Sequence, residues 1–285
     1  MSMLKIAIQK SGRLNEDSVQ ILKDSGISIN NGNDQLKITA SNFPLEVYFL
    51  RNSDIPQYLI DGVVDAAIVG DNLLVEKKQH IQTIEKLGFS KCKVSVAVPK
   101  NFAYNSIEDL NRLKIATSYP KTVSDYFRSK NVEIEIHQIS GSVEIAPNIG
   151  LSDAIVDIVS SGSTLFKNNL KEVEVIFKSE AVLAVSPLIS VEAKIILDKL
   201  QFRIQSVLRA RKSKYILMNV PNNKITEVSK ILPVLKSPTV MPLADEGWSS
   251  VHSVIDEEKF WEVIDQLKTA GAEGILVCPI EKIVL

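Results

Sequence analysis

The sequence predicts an α/β protein that ends in a small β-α-β-β-α-β unit. Short apolar segments with the two-residue period of strands alternate with segments of helical period along most of the 285 residues. The longest helical pattern runs from Val191 to Arg211. Beyond it the order changes to strand, helix, two strands, helix and strand, which is the split, ferredoxin-like arrangement.

The first unit opens with a predicted strand at residues 4–8. A helical pattern follows, for which Asn15 is the expected N-cap and Gly26 the end. The next predicted elements are strands around Ile38 and at residues 47–50, a short helix within residues 54–62, and a buried strand at residues 66–69.

A second unit begins near Lys91, and Ser118 is expected to cap a helix with Pro120 in its first turn. Its predicted strands are residues 93–98, 114–117, 133–139, 154–159 and 173–177, and its predicted helices are residues 106–111, 143–150 and a segment from Thr164. A further strand is predicted at residues 181–185.

The final unit has predicted strands at residues 215–220, 239–243, 248–255 and 274–278, and helices at residues 224–235 and 257–270. By analogy alone, such a unit appended to an α/β body is more often regulatory or oligomerising than catalytic. The helix predicted from Val191 to Arg211 is expected to connect this final unit to the preceding α/β units.

Composition narrows the function. With 33 basic and 34 acidic residues the chain lacks the basic excess of a nucleic-acid binder, so any phosphate recognition should be local. No apolar run reaches spanning length and no export signal is visible, so we expect no membrane partner and a cytoplasmic location. Cys92 and Cys278 lie in apolar strand-like segments and are expected to be buried free thiols.

The most specific local feature is the segment from Glu144 to Leu165, which contains DIVSSGST. Asp157 lies near the end of a strand, where open α/β sheets bind ligands. Gly162 lets the backbone approach a phosphate, and neighbouring amides and hydroxyls can donate to it. An upstream carboxylate suits the paired hydroxyls of a ribose. On this loop alone, a simple strand-to-helix turn with a capping serine is equally plausible; the nearby acids Glu144, Asp153 and Asp157 favour phosphate binding.

Other junctions carry charged side chains. Lys10 and Arg13 follow the first strand and could hold a polyphosphate by charge-assisted bonds, although two solvated surface cations are the alternative. Asp71 follows another strand and could equally cap the next helix, and Arg51 has the same ambiguity.

Several stretches together resemble the ATP phosphoribosyltransferase family, whose members catalyse the first step of histidine biosynthesis. The resemblance covers essentially the whole chain, and its C-terminal part is similar to the long, self-regulated form. It rests on IAIQKSGRL, DGVVDAAIVGDN, KIATSYP, the Glu144–Leu165 pattern, RKSKYILM, PTVMPLAD and GAEGILVCPIEK.

The resemblance implies that ATP and phosphoribosyl diphosphate are joined at the adenine N1, with magnesium present and pyrophosphate released. It implies a two-lobed body of the periplasmic-binding-protein type: residues 1–90 with about 178–211 as the first lobe, 91–177 as the second, and 212–285 as a regulatory domain. It also implies feedback inhibition by histidine and a homo-oligomer, from dimer to hexamer.

By the same resemblance, the site residues fall into four groups. The basic residues Lys10, Arg13 and Arg51 would serve catalysis, and Asp71 would contact ATP. Histidine would contact Thr239 and Ala272, and no residue is assigned to the metal. The phosphoribosyl diphosphate ligands would be Glu144, Asp153, Asp157, Ser160, Ser161, Gly162, Ser163 and Thr164.

One position departs from the family. Many relatives carry an arginine before Ile38, whereas this chain has Gln35, with Lys37 nearby. Lysine cannot reproduce a bidentate guanidinium, so a catalytic role for this region is in doubt.

Two other functions compete with this interpretation. A two-lobed body can also be a small-molecule binding protein without catalysis, and a different phosphoribosyltransferase would use a free base as nucleophile. The Glu144–Leu165 segment does not separate these possibilities; only the N-terminal and C-terminal stretches that resemble the family do.

Overall fold

The computed structural model describes residues 2–29, 35–78, 81–232 and 237–284. Contacts divide the chain into two compact units, one formed by residues 1–20 and 27–198 and the other by residues 21–26 and 199–285. The division falls inside the long helix α6 (Val191–Arg211), whose bounds match the helical pattern in the sequence. The finer division into two catalytic lobes and a domain beginning at residue 212 stays a prediction.

The first unit contains a six-stranded sheet in the order β2-β3-β1-β4-β11-β5. Its central strands β3, β1 and β4 are parallel, and β11 runs antiparallel to both β4 and β5. The strands are β1 (Leu4–Gln9), β2 (Lys37–Thr39), β3 (Leu45–Leu50), β4 (Ala66–Gly70), β5 (Gln82–Lys86) and β11 (Ala181–Val185). Every residue of β11 is buried, as expected for a continuous apolar strand inside a covered sheet.

A second sheet of the same unit has five strands in the order β10-β6-β9-β7-β8. Strands β9, β7 and β8 are parallel, whereas β6 runs antiparallel to both β9 and β10. The strands are β6 (Cys92–Pro99), β7 (Lys114–Thr117), β8 (Glu135–Gln138), β9 (Ala154–Val159) and β10 (Leu170–Ser179). Two mixed sheets in succession match the expected two-lobed α/β body.

Five helices of this unit bear on the site. They are α1 (Arg13–Asp24), α2 (Ile55–Ile60), α3 (Asp71–Lys77), α4 (Pro120–Ser129) and α5 (Ser163–Lys167). The expected caps of two of them are wrong. α1 begins at Arg13, so Asn15 lies inside it and donates to the Gln9 carbonyl at 2.6 Å. Ser118 donates to the Ile139 carbonyl at 2.8 Å and does not cap α4.

The two sheets are tied together by a buried carboxylate. Glu76, on α3 of the six-stranded sheet, is only 7% exposed. It accepts hydrogen bonds from the amides of Lys121 and Thr122 at 3.0 and 2.9 Å, and from the Thr122 hydroxyl at 2.8 Å. These donors form the first turn of α4, whose free amides need acceptors. Glu76 therefore caps α4 from the other sheet; the exposed ion pair Lys78–Asp125 lies between the same two helices.

The second unit confirms the β-α-β-β-α-β order. Its four strands lie in the order β13-β14-β12-β15. The elements are β12 (Ser213–Pro221), α7 (Ile225–Ile231), β13 (Thr239–Pro242), β14 (Trp248–Asp256), α8 (Glu257–Thr269) and β15 (Glu273–Pro279). One sheet face packs on α7 and α8 through a core that includes Ile216, Val251 and Leu267. The expected end of α7, at residues 233–235, lies outside the described residues.

The structure corrects one expectation about the cysteines. Cys92 is half-buried, whereas Cys278 is exposed on β15, so the expectation that both thiols are buried is wrong for Cys278. Among the described residues no helix has the length and apolar character needed to cross a membrane.

We expect Glu76→Ala to lower the free energy of unfolding of the first unit by about 2–4 kcal/mol, because it leaves buried donors of α4 unpaired. The control Asp125→Ala removes an ion pair between the same helices in which both side chains are 48% exposed, and should cost under about 1 kcal/mol. Urea unfolding followed by circular dichroism measures both. Equal costs would show that Glu76 does not hold α4.

Candidate active site

The loop that the sequence predicts to bind phosphate follows β9 and leads into α5. Between them the chain passes through Ser160, Ser161 and Gly162, and Gly162 has the left-handed φ of +73°. An added Cβ at Gly162 would meet no atom within 4 Å, so the glycine is required by the backbone conformation and not by crowding. The hydroxyls of Ser161 and Ser163 are 3.0 Å apart. The loop thus presents hydroxyls and backbone amides around an open space.

A cavity of about 130 Å³ lies in the curve of this loop. Its polar lining is supplied by Glu144, Asp157, Ser160, Ser161, Gly162 and Thr164. Glu144 reaches it from a short 3-10 turn, Val143–Ile145, more than ten residues earlier in the chain. The structure therefore brings together most of the residues expected to hold the phosphoribosyl group, and Ser163 is adjacent to them. We call this site the cradle.

Asp157 has an unusual electrostatic position. The pKa of Asp157 is raised to about 6, mainly by burial and to a smaller extent by the negative charge of Glu144, while the Ile158 amide opposes the shift. The Asp157 carboxylate is therefore held in a partly desolvated position at a cost to stability, which is typical of functional sites. Ionised Asp157 can accept two hydrogen bonds from a ligand that brings its own donors, as ribose hydroxyls do.

Asp153 does not belong to the cradle, in contrast to the expectation from the sequence. It precedes β9, at the opposite end of the strand from Ser160. Its carboxylate accepts a hydrogen bond from the Lys114 amide at 2.8 Å, and its own amide donates to the Lys114 carbonyl at 2.9 Å. The structure thus uses Asp153 to join β9 to β7.

Three charged residues follow neighbouring parallel strands of the six-stranded sheet. Lys10 follows β1, Arg51 follows β3, and Asp71 follows β4. The Lys10 amide donates to the Leu50 carbonyl at 2.8 Å, so the first two positions are adjacent at one sheet edge. Arg13 is the first residue of α1, just beyond Gly12 with φ +87°. Lys10, Arg13 and Arg51 are exposed and form no ion pair in the part of the chain that the structure describes.

The structure adds residues that sequence reasoning missed. The Asn72 side chain, at the start of α3, donates to the Tyr119 hydroxyl at 2.8 Å, and the Asn72 backbone amide donates to the Ser179 hydroxyl at 2.9 Å. Burial raises the pKa of Tyr119, and the charge of Asp157 raises it further, so the phenol stays protonated near the cradle. A polar residue directly after Asp71 and a tyrosine before Pro120 were visible in the sequence. Their pairing across two sheets was not.

The remaining sequence-predicted positions lie elsewhere. Lys37 forms an ion pair with Glu46, with Nζ 2.7 Å from Oε1, and this pairing raises the pKa of the lysine. The Lys37 ammonium also lies 5.4 Å from the centre of the Tyr48 ring. In the second unit Thr239 is exposed on β13, whereas Ala272 is buried in the core beside β15. Since β13 and β15 are the two edges of the sheet, these positions are at least three strand spacings apart, about 14 Å.

Two mixed sheets, with a hydroxyl-bearing loop on one and basic strand ends on the other, define the class as a two-lobed α/β body of the periplasmic-binding-protein type. Solved structures agree on the fold: the substrate-binding protein of an amino acid ABC transporter matches with a TM-score of 0.50 at 15% identity, covering 74% of this chain and 95% of that chain. At that identity the likeness concerns the fold alone.

Comparison of sequences is more specific. Residues 51–206 match the family model described as HisG: ATP phosphoribosyltransferase, and residues 210–282 match the model described as HisG, C-terminal domain. The chain is 58% identical over 283 residues to an ATP phosphoribosyltransferase of Cytophaga hutchinsonii, covering 99% of both. It is 53% identical over 283 residues to one of Phocaeicola vulgatus, covering 99% of this chain and 100% of the relative.

A solved ATP phosphoribosyltransferase (HisG:HisZ) complex from Thermotoga maritima matches with a TM-score of 0.61 and 32% identity, covering 71% of this chain and 99% of that one. The chain belongs to the ATP phosphoribosyltransferase family. It is a pentosyltransferase of histidine biosynthesis, which joins ATP and phosphoribosyl diphosphate to give N1-(5-phosphoribosyl)-ATP and pyrophosphate.

We expect Asp157→Asn to raise stability at pH 7.5 by about 1–2 kcal/mol while abolishing turnover. The carboxyl pKa is raised to about 6, so the folded chain binds a proton more tightly than the unfolded chain and loses stability as pH rises from about 4 through 6. Asparagine carries no charge, so the advantage should vanish at pH 4. Urea midpoints at both pH values measure it. A variant that is no more stable at pH 7.5 than the parent would contradict the burial of an ionised Asp157.

Proposed function

We propose that the cradle holds the ribose and 5′-phosphate of phosphoribosyl diphosphate. The observation that supports this most is the convergence of Glu144 and Asp157 with the Ser160–Thr164 loop in one cavity. The loop hydroxyls and amides donate to the phosphate, and the two carboxylates accept from the ribose hydroxyls. Asp153 is left out of this assignment because its carboxylate is bonded to the Lys114 amide.

The basic strand ends have the complementary role. Lys10, Arg13 and Arg51 bind negatively charged phosphate oxygens, and Asp71 contacts the nucleotide. Displacement at the anomeric carbon builds positive charge on the ribose and negative charge on the departing diphosphate. Cations that are not already paired can stabilise that charge without first breaking an internal ion pair.

Magnesium is compatible with the residues present. Mg²⁺ in such enzymes is held by one or two carboxylates together with substrate phosphates, and Glu144 and Asp157 supply two carboxylates in the same cavity. When bound, the ion neutralises part of the charge on the diphosphate. The chain itself binds and orients the two substrates, and alignment of this kind can contribute on the order of 7–11 kcal/mol at its ideal limit. No covalent intermediate is needed.

Gly162→Val is expected to reduce turnover at least about 100-fold, because a β-branched residue disfavours the left-handed backbone that shapes the loop. The matched control is Gly247→Val in the second unit, where φ is +90° and an added Cβ also meets nothing within 4 Å. Pyrophosphate release from ATP and phosphoribosyl diphosphate is measured for both. Near-normal turnover in Gly162→Val would remove the loop from the site.

We also propose that the second unit binds histidine and inhibits the enzyme. Thr239 and Ala272, the positions suggested by family resemblance, lie at opposite sheet edges, too far apart to enclose one amino acid within a single chain. If both contact the inhibitor, they come from two copies, which agrees with a homo-oligomer in which second units associate.

The enzyme is proposed to act in the cytoplasm, where ATP and its other substrate are made.

Inhibition offers a test of this proposal. Thr239→Lys is expected to raise the histidine concentration needed for half-inhibition at least about tenfold, since it places a long cation at the proposed contact. Thr269→Lys, at an exposed threonine of α8, is the control. Initial rates with and without free histidine give the ratio for each variant. Equal inhibition of both variants would move the histidine site away from β13.

A further inference from the structure

A second cavity, of about 450 Å³, adjoins the cradle. It shares Val159 and Ser160 with the cradle, and its other walls come from the two chain segments that connect the sheets. Four lysines line it: Lys86, Lys91, Lys93 and Lys178. We call it the lysine pocket. None of the residues assigned to catalysis or histidine binding above belongs to it.

The charges of the lysine pocket are not balanced internally. Lys93 is neutralised by Glu172, with its Nζ 2.6 Å from one carboxylate oxygen and 2.7 Å from the other. Lys86, Lys91 and Lys178 form no ion pair within residues 2–29, 35–78, 81–232 and 237–284. Glu180, the one acid in the wall, accepts a hydrogen bond from the Gly88 amide at 2.9 Å. The pocket therefore keeps an excess of positive charge.

Two of these lysines lie side by side on neighbouring strands. Lys178 on β10 and Lys93 on β6 are direct register partners in an antiparallel pair. Like charges directly opposite each other destabilise a sheet. Glu172 offsets the charge of Lys93, but Lys178 has no such partner in the described chain. A bound anion would supply the missing negative charge.

The walls are fixed before any ligand binds. The Leu87 amide donates to the Ala181 carbonyl at 2.9 Å, and the Ala181 amide donates to the Phe89 carbonyl at 3.0 Å. The Ser179 hydroxyl donates to the Asn72 side chain at 3.0 Å. These bonds hold the two connecting segments side by side, so the backbone that carries the lysines is already ordered and only their exposed side chains need ordering on binding.

We propose that the lysine pocket binds the di- or triphosphate group of a substrate whose reacting end lies at the cradle. A polyphosphate matches several point charges around a roomy, open cavity, and lysine binds phosphate as a point charge. The shared residue Ser160 places this group next to the proposed ribose site. The inference rests on the cradle assignment, and it adds a second set of cations to Lys10, Arg13 and Arg51. The group is either the leaving diphosphate of the phosphoribosyl donor or the triphosphate of ATP.

The test compares two triple variants of the full chain. One is Lys86→Gln with Lys91→Gln and Lys178→Gln. The control removes the same charge from exposed lysines that form no ion pair in the described part of the chain: Lys23→Gln, Lys77→Gln and Lys268→Gln. Binding of inorganic pyrophosphate is measured by calorimetry, and KM is measured for each substrate. Circular dichroism and urea midpoints establish that both variants fold.

The pocket variant is expected to bind pyrophosphate about 100-fold more weakly, whereas the control should change less than about threefold, because distant surface charges are screened. A rise in KM for phosphoribosyl diphosphate alone assigns the pocket to the leaving diphosphate; a rise for ATP alone assigns it to the triphosphate. Unchanged pyrophosphate affinity, or a fall in affinity with both KM values unchanged, overturns the proposal. Failure of the cradle assignment is separate: Gly162→Val would then keep its turnover while the pocket variant still lost pyrophosphate.

Discussion

The first unit depends on one buried carboxylate. Glu76 forms no ion pair among the described residues, and its carboxylate is stabilised by the amides and hydroxyl of the first turn of α4. An unpaired ion in this position would be costly, and an uncapped helix start would leave buried amides without acceptors. The donors of α4 therefore stabilise the buried carboxylate, and the carboxylate supplies the acceptor that these donors need. The consequence is that α4, and with it the five-stranded sheet, is held against α3 of the six-stranded sheet by directional bonds.

The proposed chemistry relies on that attachment because its charges are divided between the sheets. Acceptors for ribose hydroxyls are on the five-stranded sheet, at Asp157, while cations follow β1 and β3 of the six-stranded sheet. Asn72 and Tyr119 form a further bond between the sheets close to this division. Carboxylates on one sheet can stabilise the positive charge that develops on the ribose, and cations on the other sheet can stabilise the negative charge of the departing diphosphate.

Much of this organisation was accessible from the sequence, for a physical reason. Strands such as β9 and the helix α6 are set by local apolar periodicity, and the turn at Gly162 by backbone freedom. What sequence reasoning missed or misplaced depends on contacts between distant segments. Strand β5 carries a weak apolar pattern and was not predicted, and helix α3 was expected only as a helix that Asp71 could cap, without bounds.

The same cause explains the misassigned side chains. Asp153 looks like a ribose ligand in the sequence, but the strand separates it from Asp157 and it bonds to the Lys114 amide. Ser118 looks like a cap, but an acid more than forty residues away takes that position. Local chemistry identifies which residues can act; only the register of the strands decides which of them meet.

The strand order also has a consequence for biosynthesis of the chain. β11 lies between β4 and β5, and it is made only after the whole of the five-stranded sheet, residues 92–179, has been synthesised. The six-stranded sheet therefore cannot close while the ribosome is still producing its insert. The later sheet, continuous in sequence, can complete its pairing first, and the earlier one waits for a single strand. In a growing chain the cradle can thus form before the sheet that carries the cations is finished.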